Sequence, residues 1–197
     1  MHKPETDIYD ISRWYNKKGE LHRIDGPAVE RTDGSKEWYK NGEYHREDGP
    51  AVKWTSGKKE WWVNGKLHRE NGPAIEHTDG HKEWWVNGKR HRKNGPAIIT
   101  SDGDCHWYKK GKFHREDGPA VERTNGSKEW YKNGKLHRED GPAIECTNGY
   151  KEWWVDEKYW TKAQRVFRKK HKTRRVLVQA QNLSFVSCRK TQKKEES

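Results

Sequence analysis

The chain has 197 residues, of which 29% are hydrophobic and 37% charged, against roughly 45–50% apolar in an ordinary globular domain. That excludes a large aliphatic core. The excess of 42 Lys and Arg over 30 Asp and Glu, a formal charge of +12, points by itself to disorder or nucleic-acid binding, but 12 Trp, 8 Tyr and 3 Phe are unlike a disordered polymer.

Positions 1–13 read as a lead-in. Met1-His2-Lys3-Pro4-Glu5-Thr6-Asp7 lacks the apolar segment of a signal peptide, and no later stretch approaches the roughly 20 apolar residues of a membrane span. The expected location is cytoplasmic. Cys105, Cys146 and Cys188 form no CxxC pair, and their odd number predicts reduced thiols rather than a disulfide framework.

Residues 14–155 are governed by a repeat. Trp38, Trp61, Trp84, Trp107, Trp130 and Trp153 recur at one constant interval, and Trp14 precedes the first of them by one position more. Six copies span 14–152, and a seventh begins at Trp153-Trp154-Val155 and is then abandoned. All 18 glycines fall at three positions per copy, and six of the seven prolines follow the middle one. Asn-Gly and Asp-Gly between short runs of Trp, Tyr, Val and Ile are hairpin signals, since glycine accepts the positive φ of tight turns.

Each copy therefore predicts two main strands, approximately 28–32 and 36–40 in the first, plus a short return through Tyr44-His45-Arg46. The fold class is mainly β, an elongated antiparallel meander of β-hairpin repeats. A three-residue loop, Thr32-Asp33-Gly34, sets Glu30 opposite Lys36, whereas a two-residue loop would oppose like charges. The same register gives Glu76–Lys82, Glu122–Lys128, Glu145–Lys151 and Ile99–Cys105; only Lys53–Lys59 objects.

Beyond the repeats the grammar changes, for neither Gly nor Pro occurs between Tyr150 and Ser197. Residues 156–176 read as a basic helix, entered near Thr161 and striped by Ala163, Val166 and Phe167, that caps the open end of the sheet. Residues 177–197 read as a partly disordered tail. From Val155 onward there are 13 Lys and Arg against 4 Asp and Glu, so +9 of the +12 belongs here. Arg168, Lys169, Lys170, Lys172, Arg174 and Arg175 are the candidate contacts for an anionic partner.

The repeated chemistry points to binding rather than catalysis. Six histidines at one position (His22, His45, His68, His91, His114, His137) would stand about 10 Å apart at two strands per copy, too far to share a zinc ion with ligand bonds of about 2 Å. They read as solvated or turn-bonded. Cys105-His106 in the fourth copy point to opposite faces of a strand and cannot pair as nucleophile and base. No catalytic residue, metal ligand or cofactor is expected. The aromatic pairs carry the strongest signal, because alternation sends their members to opposite faces. One ladder serves as a hydrophobic layer, and the other (Tyr39, Trp62, Trp85, Tyr108, Tyr131, Trp154) is the candidate binding face.

Trp62-Val63-Asn64-Gly65-Lys66 and Trp85-Val86-Asn87-Gly88-Lys89, with recurring Asp/Asn-Gly turns such as Asp79-Gly80, resemble the MORN class of 23-residue hairpin repeats. His-Arg-Glu-Asp-Gly-Pro-Ala at 45–51, 114–120 and 137–143 stands where that class carries a Gly-x-Gly pair. This heptapeptide resembles variant repeats of large DNA viruses and bacteriophages, which would place the chain in a host cytoplasm or, by its basic run, a nucleus. The resemblance implies a single-layer sheet and a non-enzymatic scaffold. Its expected partner is a protein or a second copy of the chain, and the alternative is a nucleic acid or acidic membrane met by the basic segment.

Overall fold

In the computed structural model, which describes residues 5–6, 9–161 and 164, the second to sixth copies each contribute two hairpins of different kinds, and the first copy has the single bridge Tyr15↔Leu21 in place of the short one. The first pairs Val29–Glu30 with Lys36–Glu37 in the register Glu30↔Lys36, Val29↔Glu37. Its turn has three residues: the Gly34 N–H donates to the Arg31 carbonyl at 2.9 Å, the Arg31 N–H donates to Ser35 O at 3.0 Å, and Gly34 takes a φ of +86°. That is the geometry in which a type I turn ends in a left-handed residue.

The predicted register recurs as Glu76↔Lys82, Ile99↔Cys105, Glu122↔Lys128 and Glu145↔Lys151. It holds even for Lys53↔Lys59. That like-charge pair is tempered because Lys53 Nζ lies 5.4 Å from the Trp38 ring centre, and because the row is flanked by Glu30 beside Lys36 and Glu76 beside Lys59.

The second hairpin corrects the strand reading. The stretch 36–40 is not one strand. It divides at Trp38, whose N–H continues the main ladder to Ala51 O at 2.7 Å while its carbonyl accepts the His45 N–H at 3.0 Å. Tyr39–Lys40 then pairs with Glu43–Tyr44 rather than with the main sheet. The joining turn is Asn41-Gly42, with φ of 50° and 78°, the two positive values of a type I′ turn. Asn64-Gly65, Asn87-Gly88 and Asn133-Gly134 repeat it, and Lys110-Gly111 does so with lysine.

The first hairpins, joined to Glu5–Thr6 and Ser12–Arg13, make one 14-stranded antiparallel meander. The second hairpins make a file of six two-stranded pieces beside it. Successive members of the file meet through sparse backbone bonds, such as Gly65 N to Tyr44 O at 3.0 Å and Arg46 N to Trp62 O at 2.9 Å.

The core is thin. Ala28, Ala51, Ala74, Ala97, Ala120 and Ala143 are completely buried. Ala28, Ala74, Ala97 and Ala143 are bonded from both sides, as Ala28 is by its N–H to Glu37 O and by its carbonyl from Trp14 N, and full burial leaves each of the six side chains no room to grow. Val29, Val52, Ile98 and Val121 add the rest of the buried aliphatic surface.

The repeat also runs further than the sequence reading allowed. The seventh copy completes its short hairpin, Trp154–Val155 with Lys158–Tyr159, so the chain is still in the array at positions assigned above to a helix from 156. A helix-start signature follows at Thr161: its N–H and hydroxyl reach Gln164 Oε1 at 2.9 and 3.1 Å, and the Gln164 N–H faces Thr161 Oγ1 at 3.5 Å. This is the reciprocal arrangement of a capping box. The remainder of the expected cap and the tail lie outside the described residues.

Candidate functional site

The second aromatic ladder is half-buried and bonded into the array. On each main-sheet strand a glutamate (Glu37, Glu60, Glu83, Glu129, Glu152) precedes the ladder residue by two and accepts its polar hydrogen. Tyr39 OH donates to Glu37 at 3.0 Å, Trp62 Nε1 to Glu60 at 2.9 Å, and Trp85 Nε1 to Glu83 at 2.8 Å. Tyr131 OH donates to Glu129 at 2.9 Å and Trp154 Nε1 to Glu152 at 2.5 Å. The rings continue sideways into the partner strands of the hairpin file: Tyr39 stacks on Tyr44 at 4.3 Å and Phe113 on Tyr131 at 5.1 Å. Tyr108 lacks the glutamate because His106 stands there; it packs on Phe113 at 4.2 Å, with the Arg90 guanidinium 5.6 Å from its ring centre.

Burial shapes the titration of this layer. Desolvation, reinforced by Tyr44 and then by the charge of Glu37, raises Tyr39 above the phenol range, and desolvation with Glu129 pushes Tyr131 up to about 12. Burial also raises Glu83, but His81, Arg90 and Trp85 outweigh it and hold the carboxylate below its ordinary value. Glu37 is 2% exposed and gathers Arg31, Tyr39 and Tyr44. His106 is held below the imidazole range by burial and then by Arg123, and its buried Nε2 has no partner.

The first ladder is covered by arginines. Arg23, Arg46, Arg69, Arg92, Arg115 and Arg138 place their guanidinium carbons 3.8–4.1 Å from the ring centres of Trp14, Trp38, Trp61, Trp84, Trp107 and Trp130. Each also donates to the carbonyl of the proline four residues on. The constant eight-residue spacing from Trp to Arg, nine in the first copy, was the overlooked signal of direct stacking, which is favourable when the cation is partly desolvated.

The six histidines are turn-bonded, and the turn belongs to the next copy. Asn41, Asn87, Lys110 and Asn133 donate their backbone N–H to Nδ1 of His22, His68, His91 and His114 at 3.0–3.4 Å. Asn64 and Asp156 do the same to His45 and His137, and there Oδ1 of the turn residue also lies 2.9 Å from Nδ1. Among the described residues no group of three or more His, Cys, Asp or Glu is placed to hold a metal ion. Cys105 and Cys146 are free thiols, and burial raises Cys105.

The basic candidates Arg168, Lys169, Lys170, Lys172, Arg174 and Arg175, and Cys188, lie outside the described residues. No helix among the described residues is long and apolar enough to cross a membrane. No family model and no curated protein matches the chain.

Proposed function

We propose that the chain is a non-enzymatic repeat scaffold that binds a protein, or a second copy of itself, through the ends of its array. The observation that carries this is where apolar surface is left open. Among the described residues the exposed large hydrophobic side chains are Tyr9 and Ile24, at 69% and 93%, and Tyr150 and Tyr159, at 55% and 53%. Two belong to the first copy and its lead-in and two to the last turns, where Tyr150 OH donates to Glu152 but the ring stays exposed, whereas the ladder Tyr and Trp rings between are half-buried. Tyr150 directly precedes the last strand of the main sheet, Lys151–Glu152, and Tyr159 closes the short hairpin that follows it; a sheet edge offers backbone donors and acceptors to a partner strand.

The MORN-like resemblance supports the same reading, and the alternative is electrostatic attachment to nucleic acid or acidic membrane by the segment 168–175. Sedimentation and co-purification of the full chain at low and high salt separate the two. Tyr150→Ser with Tyr159→Ser should abolish association at both salt concentrations. Neutralising Arg168, Lys169, Lys170, Lys172, Arg174 and Arg175 should leave it intact. Association that disappears with salt and with the neutralised segment would transfer the function to the basic run.

A further inference from the structure

One member of the arginine file differs from the rest. In the other copies the guanidinium stacked on Trp has carboxylates in one or both of two fixed places. One is an aspartate two residues on, in the loop: Arg23–Asp25 at 3.2 Å, Arg46–Asp48 at 2.8 Å, Arg115–Asp117 and Arg138–Asp140 at 3.1 Å. The other is a glutamate on the main-sheet strand seven residues on: Arg23–Glu30 at 3.7 Å, Arg69–Glu76 at 2.7 Å, Arg115–Glu122 and Arg138–Glu145 at 2.9 Å. Arg46 lacks the second because of Lys53, and Arg69 lacks the first because of Asn71.

In the fourth copy both are replaced, by Asn94 and Ile99, and no described carboxylate lies within ion-pair distance of Arg92. Its posture is nonetheless that of its neighbours: 3.8 Å from the Trp84 ring centre and 3.1 Å from Pro96 O through Nη1. Burial lowers its proton affinity, and no carboxylate acts in the opposite sense. The strand beside it carries Ile99 flanked by Lys82 on one side and Cys105 on the other.

We infer that Arg92 is the receptor for a carboxylate supplied in trans, the side chain of a Glu or Asp on an acidic segment of a protein partner, which takes the place that Glu76, Glu122 and Glu145 fill from within their own copies. A fixed guanidinium fork favours a planar carboxylate. The half-buried Ile99 and Cys105 favour a carboxylate flanked by aliphatic side chains over a free, strongly hydrated anion. The inference rests on the scaffold reading and adds to the array ends a single lateral contact that fixes where along the array the partner sits.

The test is titration of the isotopically labelled full chain, reading the Arg side-chain Nε–H resonances, with the capped tripeptide Leu-Glu-Leu, its glutamine analogue and inorganic phosphate. Leu-Glu-Leu should shift Arg92 saturably and leave Arg115 and Arg138 in place, and Leu-Gln-Leu should shift nothing. Ile99→Glu, the residue the third, fifth and sixth copies carry there, should weaken the peptide at least about tenfold by filling the fork from within. Asn94→Asp, which restores the loop carboxylate, should weaken it in the same direction.

No shift at Arg92, binding unchanged in both variants, or an equal response to phosphate would overturn the assignment. Loss of partner association in Tyr150→Ser with Tyr159→Ser while Leu-Glu-Leu fails to bind would sink this site and leave the scaffold standing. Peptide binding at Arg92 in a chain that associates with no protein would do the reverse.

Discussion

The 14-stranded sheet and the file of short hairpins are built from one and the same repeat, yet they hold together differently. In the sheet each inner strand pairs on both sides through backbone ladders, so side chains in the outward row vary freely: Glu30–Lys36, Lys53–Lys59 and Ile99–Cys105 occupy equivalent places. In the file each hairpin pairs only within itself, and its neighbours are reached by a few backbone bonds and by side chains. Conformity is therefore demanded where the backbone does least, at the Asn-Gly turn, the histidine and the glutamate–aromatic pair.

Breaking the join between the two regions should have the largest effect. Glu37 stands on the sheet and holds Arg31, Tyr39 and Tyr44, so Glu37→Ala strands three donors in a buried place and should cost about 3 kcal/mol of unfolding free energy. Lys36→Ala, on the opposite face of the same strand and exposed, should stay within about 0.5 kcal/mol. Chemical denaturation of the two variants checks the contrast, and equal losses would mean that the glutamate row is not what binds file to sheet.

Within the file, the turn comes next. Asn87 holds a φ of 50°, and Asn87→Ala should cost about 1 kcal/mol because an alanine resists the left-handed region. Thermal unfolding measures it, and the same substitution at Asn71, an exposed loop residue with no left-handed strain, should be nearly silent.

The contrast between regions also explains what was legible in the sequence. The sheet register followed from Glu30, Lys36 and the glycine three residues after Arg31, because opposed charges and a turn act locally. The break at Trp38 did not follow: Lys36 to Lys40 alternates like one strand, and only the competition between Ala51 O for the Trp38 N–H and His45 N–H for its carbonyl divides it. The ladder residues were found, but not their engagement, since Glu37 and Tyr39 share one strand face that reads as open to a partner until the second hairpin brings Tyr44 alongside. The stop at Val155 was misjudged because Asp156-Glu157 carries no glycine, yet both residues take positive φ and close the turn.

The histidine staple sharpens the comparison at lower cost. His68→Phe keeps a ring but removes the acceptor for the Asn87 N–H, which should cost about 0.5–1 kcal/mol and speed hydrogen exchange at Asn87 while ladder amides at Glu76 and Lys82 keep their protection. Equal acceleration at Asn87 and at the ladder amides would refute the staple.

The smallest effect near neutrality belongs to the tyrosines, and it vanishes there by sign. Burial and then Glu129 raise Tyr131 to about 12 in the fold, whereas an unfolded phenol ionises near pH 10. The folded state thus keeps a proton the unfolded chain gives up, so the contribution is complete below about pH 10 and is lost as pH climbs toward 12. Tyrosinate absorbance followed with circular dichroism should show Tyr131 ionising later than an unfolded phenol and together with unfolding. Glu129→Gln removes the charge that opposes ionisation and should bring Tyr131 forward without moving Tyr39, which answers to Glu37. If both tyrosines moved together, the ladder would titrate as one coupled layer, and the glutamates would not act copy by copy.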